Sequence, residues 1–205
     1  MWWQWEIDLI HWIWENLHGS SFWNGFNRIL TWIGDGIQVT VVLSIAVIIM
    51  LFFKKTRKLG LSLGLGVLIF NLIGNNILIK NIVARPRPIY VDDTLMAYAT
   101  DYFQAYSYAY IPKETSYAFM SGHTVAQFTI AFIVAFNHKK LAAPLLIWAT
   151  LVASTRLFFG FHYPTDILYG ILYAFISALI TFAAANAIEE VILNRRKRRK
   201  KANEN

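Results

Sequence analysis

The sequence predicts an all-α integral membrane protein, a bundle of five or six transmembrane helices with amphipathic helices at its amino terminus. Three observations lead to this fold class. Hydrophobic residues make up 57% of the 205 residues. Charged residues account for only 15%, whereas soluble domains carry about 25%. Several apolar runs approach the roughly 20 residues that a helix needs to cross a bilayer, and the mean hydropathy is +0.43.

Residues 1–35 predict two amphipathic helices. Polar residues recur at helical spacing along the first helix and are Gln4, Asp8, His11, Glu15 and His18. A second, shorter group comprises Asn24, Asn27, Arg28 and Thr31. Tryptophan favours the membrane interface and occupies much of the remaining surface, at Trp2, Trp3, Trp5, Trp12 and Trp14. We expect both helices to lie in the outer interface, with a sixth span as the alternative. We therefore expect His11 and His18 to be interfacial and assign them no catalytic role.

Residues 36–193 predict the transmembrane domain. Its five spans are 37–53, 59–79, 122–137, 141–159 and 167–188. The glycine-rich run 60–66 lies inside the second span, so it predicts close packing between helices rather than a nucleotide-binding loop. Residues 89–118 are expected to form one long, tyrosine-rich polar loop, which either covers a site or lies at the lipid headgroups. Lys113 is the only cation of this loop, which disfavours nucleic-acid binding.

The positive charges predict the orientation of the chain in the membrane. Basic residues follow the first, third and fifth spans, at Lys54, Lys55, Arg57, Lys58, Lys139, Lys140 and 195–201. Such clusters mark the cytoplasmic side, which leaves residues 80–121 and 160–166 on the outer side. The tail, residues 194–205, supplies much of the net charge of +7. We interpret it as a cytoplasmic anchor on anionic lipid, and no nucleic-acid partner is expected.

Six ionisable residues fall at the ends of predicted spans on this outer side. They are Lys80, Arg87, His123, Arg156, His162 and Asp166. Two prolines end the second helix and present Lys80 and Arg87 at the membrane surface. The tripeptide Ser121-Gly122-His123 opens the third span, so the free backbone N–H groups of its first turn point outward, ready for an anion. Three chain segments thus deliver complementary groups to one face.

This set of groups suits phosphoryl transfer. Three cations and a helix N-terminus can stabilise the charge on a phosphoryl group. A neutral imidazole held by a carboxylate can attack phosphorus, and a second imidazole with a pKa of about 6.5 can protonate the departing oxygen. Such a double displacement needs no metal, and no cofactor is expected. The lack of cysteine excludes a thiolate nucleophile.

The three motifs, K-x6-R-P, then S-G-H, then R-x5-H-x3-D, resemble those of the type 2 phosphatidic acid phosphatase (PAP2) superfamily, which is related to vanadium haloperoxidases. The resemblance covers about residues 37–188. It implies a helical membrane bundle and a metal-independent phosphatase that acts through a phosphohistidine. By this resemblance His162 is the nucleophile, Asp166 orients it and His123 protonates the leaving group. The implied phosphate-binding groups are Lys80, Arg87, Ser121, the Gly122 backbone and Arg156.

The chain departs from the motifs of this superfamily at two positions. Met120 stands where the second motif usually has a proline, and Thr155 stands where the third usually has a serine. Thr155 keeps a hydroxyl, so we expect little effect. Met120 removes backbone rigidity beside Ser121 but deletes no phosphate ligand. We therefore expect it to affect the rate or the loop geometry rather than the chemistry.

The sequence therefore predicts an enzyme that hydrolyses a lipid phosphate or diphosphate at the outer face of a bacterial cell membrane. A site at the outer ends of membrane helices favours an amphiphile whose phosphate lies at headgroup level. Candidates are a polyprenyl diphosphate, phosphatidylglycerophosphate and phosphatidic acid. The bilayer is the only other partner implied, and no obligate protein partner is expected.

Two other interpretations of the same residues stay open. His123, His162 and Asp166 are a possible metal site of two histidines and a carboxylate, which the three neighbouring cations would oppose. Alternatively, the protein binds or transports a lipid phosphate with little turnover, and Met120 is the one sequence feature that favours this. A haloperoxidase shares the site but not the membrane spans.

Overall fold

The computed structural model describes residues 4–34, 36–106 and 111–203, and these residues form helices and turns without any β-strand. The all-α prediction is confirmed. The α-helices are α1 Gln4–Leu17, α2 Ser21–Ile33, α3 Gly36–Phe52, α4 Arg57–Gly64, α5 Lys80–Val83, α6 Asp93–Tyr106, α7 Gly122–Asn137, α8 Ala142–Phe158 and α9 Pro164–Asn203. A π-helical segment, Leu65–Ile79, joins α4 to α5, and short 3-10 turns lie at Pro88–Tyr90 and Lys139–Leu141. The predicted interfacial residues Trp2 and Trp3 lie outside the described residues.

Four helical stretches among the described residues are long and apolar enough to cross a membrane. They are Ser21–Phe52, Arg57–Tyr90, Lys139–Phe158 and Pro164–Arg195. Helix α7 is apolar but shorter than these. The chain is therefore a multi-pass membrane protein. The choice between five and six spans stays a prediction, as does the division at residues 35 and 193.

The second span is longer than the sequence predicted. It begins at Arg57 and continues through the π-helical segment to Val83, so Lys80 lies in its last helical turn rather than beyond it. Ala84 ends the helix in the left-handed conformation at φ 47°, and its N–H donates to the carbonyl of Lys80. The helix thus ends before the first of the two prolines, which cannot continue it.

Helix α7 lies at the centre of the bundle, where it packs against α4, the π-helical segment, α8 and α9. Alanine occupies many of the buried positions where these helices meet. These positions are Ala131, Ala149, Ala153, Ala174 and Ala178. Small side chains allow the backbones of membrane helices to approach closely, and this close approach supplies the packing that holds such helices together.

The prediction of one long polar loop over residues 89–118 was wrong, because α6 occupies almost half of it. Two backbone N–H groups of its first turn donate to Oδ1 of Asp92, each at 3.0 Å. This cap starts the helix. Its apolar face is buried through Leu95, Ala99, Tyr102 and Phe103. Two of these four residues are aromatic, and one is a tyrosine, so the helical period is less visible in this tyrosine-rich segment than in an aliphatic one.

Helices α1 and α2 form as predicted, but one face of α1 is buried against the rest of the protein. Its inner face packs with α6 and with the turn between α8 and α9 through Ile7, Ile10, Ile13 and Trp14.

His18, expected at the interface, stacks between the rings of Trp14 and Phe158 at centroid distances of 3.5 and 4.0 Å. Burial lowers the pKa of His18 to about 4 despite a hydrogen bond with the Phe158 carbonyl. A neutral, stacked imidazole is a packing group.

Helix α9 continues well beyond the predicted end of the fifth span at residue 188 and includes the basic segment as far as Asn203. No glycine or proline follows Gly170, and lysine and arginine favour helix. The tail expected after residue 193 is therefore a helical extension of the last span over its described part.

Close contact between the π-helical segment and α9 provides a test of this packing. The Tyr173 hydroxyl donates to the Phe70 carbonyl at 3.0 Å, and a Cβ atom on Gly74 would clash with that hydroxyl oxygen. We expect Gly74→Ala to lower the free energy of unfolding by about 1–3 kcal/mol, as overpacking usually does.

The matched variants are Tyr173→Phe and the double variant Gly74→Ala/Tyr173→Phe, compared by thermal unfolding in one detergent. Removing the hydroxyl oxygen removes the clash, so the double variant should be more stable than Gly74→Ala alone. A double variant that is less stable than Gly74→Ala would contradict this packing.

Candidate active site

The structure brings all six predicted ionisable residues to one end of the bundle. Nη1 of Arg87 lies 3.2 Å from Nε2 of His162, and Nη1 of Arg156 lies 3.5 Å from Nε2 of His123. Lys80 is close enough to interact electrostatically with both histidines and with Arg87 and Asp166. The α5 turn, the loop after it, α7, α8 and the start of α9 all contribute to this cluster. The predicted convergence of three chain segments is thus observed.

Arg87 is held by neutral acceptors on both sides. Its Nε donates to the carbonyl and hydroxyl oxygens of Ser116, at 2.5 and 3.2 Å, and its Nη1 donates to the Phe161 carbonyl at 2.8 Å. These acceptors orient the guanidinium beside His162 and carry no net charge of their own. Arg87 is only 7% exposed, so this charge acts in a medium that screens it weakly.

His162 has its two ring nitrogens in different surroundings. Nδ1 lies 3.5 Å from Oδ2 of Asp166, whereas Nε2 faces Arg87. Burial, followed by the positive charges of Arg87, Lys80 and Arg156, lowers the pKa of His162 well below its ordinary value. The imidazole is therefore neutral at physiological pH, as a nucleophile must be. The 3.5 Å distance is long for a hydrogen bond, and catalytic contacts commonly shorten when substrate binds.

Arg156 is also held by neutral groups, one of which the sequence did not reveal. Its Nε donates to the Thr155 hydroxyl at 3.0 Å, and its Nη2 donates to the hydroxyl of Thr31 on α2 at 2.6 Å. A serine hydroxyl at position 155 could accept the same hydrogen bond from Arg156. Threonine can therefore stand here in place of the usual serine. Thr31 carries no motif, and only the docking of α2 on α8 identifies it.

The N-terminus of α7 has the geometry that suits an anion. Ser121 caps the helix by accepting a hydrogen bond from the Thr124 amide, and its own N–H donates to the Asp166 carbonyl at 3.4 Å. A Cβ atom on Gly122 would lie 2.6 Å from Oδ1 of Asn76, so any larger residue would have to displace that side chain. The free N–H groups of this first turn have no carbonyl partner inside the helix and favour a negative charge.

Met120 is fixed by an interaction that the usual proline could not make. Its N–H donates to Oδ1 of Asn75 at 3.3 Å, and its carbonyl accepts from Nδ2 of the same side chain at 3.4 Å. Asn75 is fully buried in the π-helical segment. The amide therefore holds both polar groups of the Met120 backbone and can supply part of the rigidity that proline supplies elsewhere.

Two further charged residues lie beside the site and were not predicted to belong to it. Arg85 lies two residues before Arg87, and its Nη1 donates to Oδ1 of Asp166 at 2.7 Å. Its Nη2 donates to Glu6, a buried carboxylate on the inner face of α1. The one sequence signal for Glu6 is a carboxylate on the tryptophan-rich side of an amphipathic helix. The sequence signal for Arg85 is that it belongs to the repeated Arg-Pro of residues 85–88.

The metal interpretation finds no support in the geometry. Across the described ranges, no group of three histidine, cysteine, aspartate or glutamate side chains is arranged to hold a metal ion. The three candidate ligands instead face guanidinium groups: His123 faces Arg156, His162 faces Arg87, and Asp166 binds Arg85. Such neighbours favour an anion in this position.

A helical membrane bundle with three cations, two imidazoles and a helix N-terminus at one end is the arrangement expected of a membrane phosphatase. The family model described as "PAP2 superfamily" matches residues 55–189 of the chain. The protein therefore belongs to the PAP2 superfamily and is a lipid phosphatase of this type. The resemblance seen in the three motifs is confirmed.

Similar proteins carry several phosphatase names. The chain is 25% identical to undecaprenyl-diphosphatase BcrC of Bacillus subtilis over 88% of its own length and 86% of the relative's. It is 31% identical to the undecaprenyl-diphosphatase of Sulfolobus acidocaldarius, over 60% of this chain and 53% of that protein. The crystal structure of the PAP2-type phosphatidylglycerolphosphate phosphatase from Bacillus subtilis superposes with a TM-score of 0.65. That match has 20% identity and covers 89% of this chain and 85% of the other, and it establishes the shared fold.

The bond between Asn75 and Met120 generates a prediction about the geometry of the site. We expect Asn75→Ala to lower kcat/KM because the backbone before Ser121 loses its anchor. Met120→Pro should also lower it, because proline lacks the N–H and leaves Oδ1 of Asn75 buried without a donor. The double variant should lose less than the sum of the two single losses, since both changes remove one shared interaction.

The measurement is kcat/KM for all four proteins, with thermal unfolding to verify folding. Asn81→Ala is the control, because Asn81 is exposed and its amide donates only to the Ile77 carbonyl in the same helix turn. Strictly additive losses would show that Asn75 acts on the site by some other route than Met120.

Proposed function

We propose that the protein hydrolyses a lipid phosphate or diphosphate in two displacements through a phosphohistidine on His162, without a metal. The observation that carries this proposal is the pair of opposite environments at the His162 ring. One nitrogen faces the Asp166 carboxylate and the other faces the Arg87 guanidinium. A carboxylate at Nδ1 fixes the tautomer in which Nε2 carries the lone pair. Arg87 donates toward Nε2 in this structure, and a bound phosphoryl group would take this donor and release the lone pair for attack.

The first step of this mechanism forms the bond from Nε2 to the terminal phosphorus and breaks the bond from that phosphorus to the leaving oxygen. The leaving oxygen is the bridging oxygen of a diphosphate or the lipid oxygen of a monophosphate. Lys80, Arg87 and Arg156, with Ser121 and the Gly122 N–H, hold the phosphoryl oxygens and stabilise their charge. His123, beside Arg156, protonates this leaving oxygen. In the second step His123 takes a proton from water, which attacks phosphorus and releases inorganic phosphate and neutral His162.

The substrate we propose is a long-chain polyprenyl diphosphate, and phosphatidylglycerophosphate and phosphatidic acid are the competing lipids. Support comes from undecaprenyl-diphosphatase BcrC, a relative that aligns over 88% of this chain and 86% of its own length. A cationic site at one end of a membrane bundle also suits a substrate whose chain stays in the bilayer while its phosphates reach the helix ends.

Replacing the nucleophile provides the first test. In buffer containing EDTA, His162→Ala should abolish phosphate release while the protein stays folded. Asp166→Asn should leave a small remainder of activity, because the imidazole stays present but loses its orientation and its charge partner. Denaturing gels of protein reacted with ³²P-labelled substrate should show label on the wild type and none on His162→Ala. Hydrolysis near the wild-type rate by folded His162→Ala would overturn the mechanism.

The role of His123 predicts a dependence on the leaving group. His123→Ala should slow the first step by about a hundredfold to ten-thousandfold for an alkyl lipid phosphate, the usual range for general acid catalysis. The loss should be much smaller for p-nitrophenyl phosphate, whose leaving group needs no proton. Single-turnover rates for both substrates are the measurement. Equal losses would exclude His123 as the acid.

A panel of lipids distinguishes hydrolysis from the alternative of binding or transport with little turnover. One relative bears the name "Bacitracin transport permease protein BcrC", which is why this alternative needs a test. Purified protein should release phosphate fastest from undecaprenyl diphosphate among the three candidate lipids presented at equal surface density. Tight lipid binding without release would support the alternative instead.

We also propose that the site opens to the outer face of a bacterial cell membrane and that the end of α9 is cytoplasmic. The support is the basic clusters after the first, third and fifth predicted spans. In a chain without cysteine, Thr115→Cys and Ala202→Cys introduce single labelling sites. A membrane-impermeant maleimide should label the first in intact cells and the second only after lysis. The reverse result would invert the topology.

A further inference from the structure

A buried ionic network connects the first helix of the protein to the carboxylate of the site. Arg85 donates from Nη1 to Oδ1 of Asp166 and from Nη2 to Oε2 of Glu6, both at 2.7 Å. Arg85 is 5% exposed, Glu6 is 1% exposed and Asp166 is fully buried. Two carboxylates and one guanidinium are therefore removed from water together, and each depends on the others for its charge balance.

Thr165 braces this network from the side. Its hydroxyl accepts a hydrogen bond from Nη1 of Arg85 at 2.7 Å and donates to Oε1 of Glu6 at 2.7 Å. The backbone N–H of Thr165 donates to the same Glu6 oxygen at 3.0 Å. Both oxygens of Glu6 are thus engaged, and the guanidinium of Arg85 lies over the Tyr163 ring at 3.6 Å. Neither Glu6 nor Arg85 can turn without breaking several contacts.

The network divides the two oxygens of Asp166 between different tasks. Oδ1 is occupied by Arg85, whereas Oδ2 accepts from the Tyr163 N–H at 2.9 Å and faces Nδ1 of His162. With Oδ1 fixed, the carboxylate cannot rotate away from the imidazole. Glu6 also supplies the second negative charge that Arg85 needs. Without Glu6, the guanidinium would be balanced by Asp166 alone and would compete with the imidazole for that charge.

We propose that Glu6 and Arg85 are positioning residues for the reaction: Glu6 neutralises Arg85, and Arg85 holds Asp166 so that its other oxygen orients His162. This inference rests on the proposed role of His162 as nucleophile. Glu6 lies outside residues 55–189, the part matched by the family model. Helix α1 is therefore a working part of the active site in this chain and not only an interfacial anchor.

Charge-removing substitutions separate this role from a merely structural one. Glu6→Gln is isosteric, and Arg85→Gln keeps an amide donor on a shorter side chain. Each should lower kcat about tenfold to a hundredfold, the usual effect of losing an orienting partner. KM should change little, because neither side chain is placed against the phosphate. Replacing Arg87, which is placed against it, should raise KM.

The acid limb of the profile of kcat/KM against pH gives the sharper measurement, because it reports protonation of the free nucleophile. Glu6→Gln removes a negative charge near His162, so the imidazolium is less stable and the limb should move to lower pH. Arg85→Gln removes a positive charge and should move the limb to higher pH. Shifts on the order of half a unit are expected for charges at this range. The groups that face His162, namely Arg87, Lys80, Arg156, His123 and Asp166, are unchanged in both variants.

Asp8→Asn is the matched control, since it removes one negative charge from the exposed face of the same helix, where Asp8 accepts only from Gln4. It should leave kcat and the limb unchanged. Shifts of the same sign in Glu6→Gln and Arg85→Gln, or unchanged kcat in either folded variant, would overturn the proposal.

Thr165→Val provides a test that alters no charge, should a charge variant fail to fold. It removes the hydroxyl that braces Glu6 against Arg85, so kcat should fall about tenfold at unchanged KM. Thr165→Ser should restore it. A folded Thr165→Val enzyme with wild-type kcat would overturn the proposal. If His162→Ala also keeps full activity, the proposed function fails. If His162→Ala is inactive but the Glu6, Arg85 and Thr165 variants match the wild type, only the positioning role fails.

Discussion

The arrangement of the active site depends on the contacts of one buried carboxylate, that of Asp166. Its Oδ1 binds Arg85, its Oδ2 binds the Tyr163 N–H and faces His162, and its backbone carbonyl accepts from Ser121. One residue thus connects the loop after α5, the turn before α9 and the N-terminus of α7. A buried carboxylate is stable only when such donors surround it, so the same contacts that stabilise its charge also assemble the site.

The cations of the site are supported in a different manner from Arg85. Arg87 and Arg156 are oriented by hydroxyl and carbonyl oxygens, which accept hydrogen bonds but carry no net charge. Arg85 is bound by two carboxylates. Neutral acceptors leave the field of a guanidinium available to an anionic substrate, whereas carboxylates cancel it. Arg85 therefore serves the protein itself, whereas uncharged oxygens orient Arg87, the proposed phosphate ligand two residues later.

The departure from proline at Met120 illustrates how a local change is accommodated by a distant side chain. The sequence placed Met120 next to Ser121 and indicated only that rigidity was lost. In the structure the buried amide of Asn75 binds both polar groups of the Met120 backbone. Asn75 lies 45 residues earlier in the chain, and the hydrogen bond to the Met120 N–H is possible because position 120 is not proline.

The sequence by itself determined the fold class, the membrane character and the six ionisable residues, because composition, apolar run length and motif spacing are properties of neighbouring residues. It did not determine that Glu6 and Thr31 adjoin the site or that Arg85 binds Asp166. It also missed α6, whose apolar face is formed partly by tyrosine. These features depend on which helix faces pack together. Such packing is decided by contacts between residues far apart in the chain, which only the tertiary structure brings within hydrogen-bonding distance.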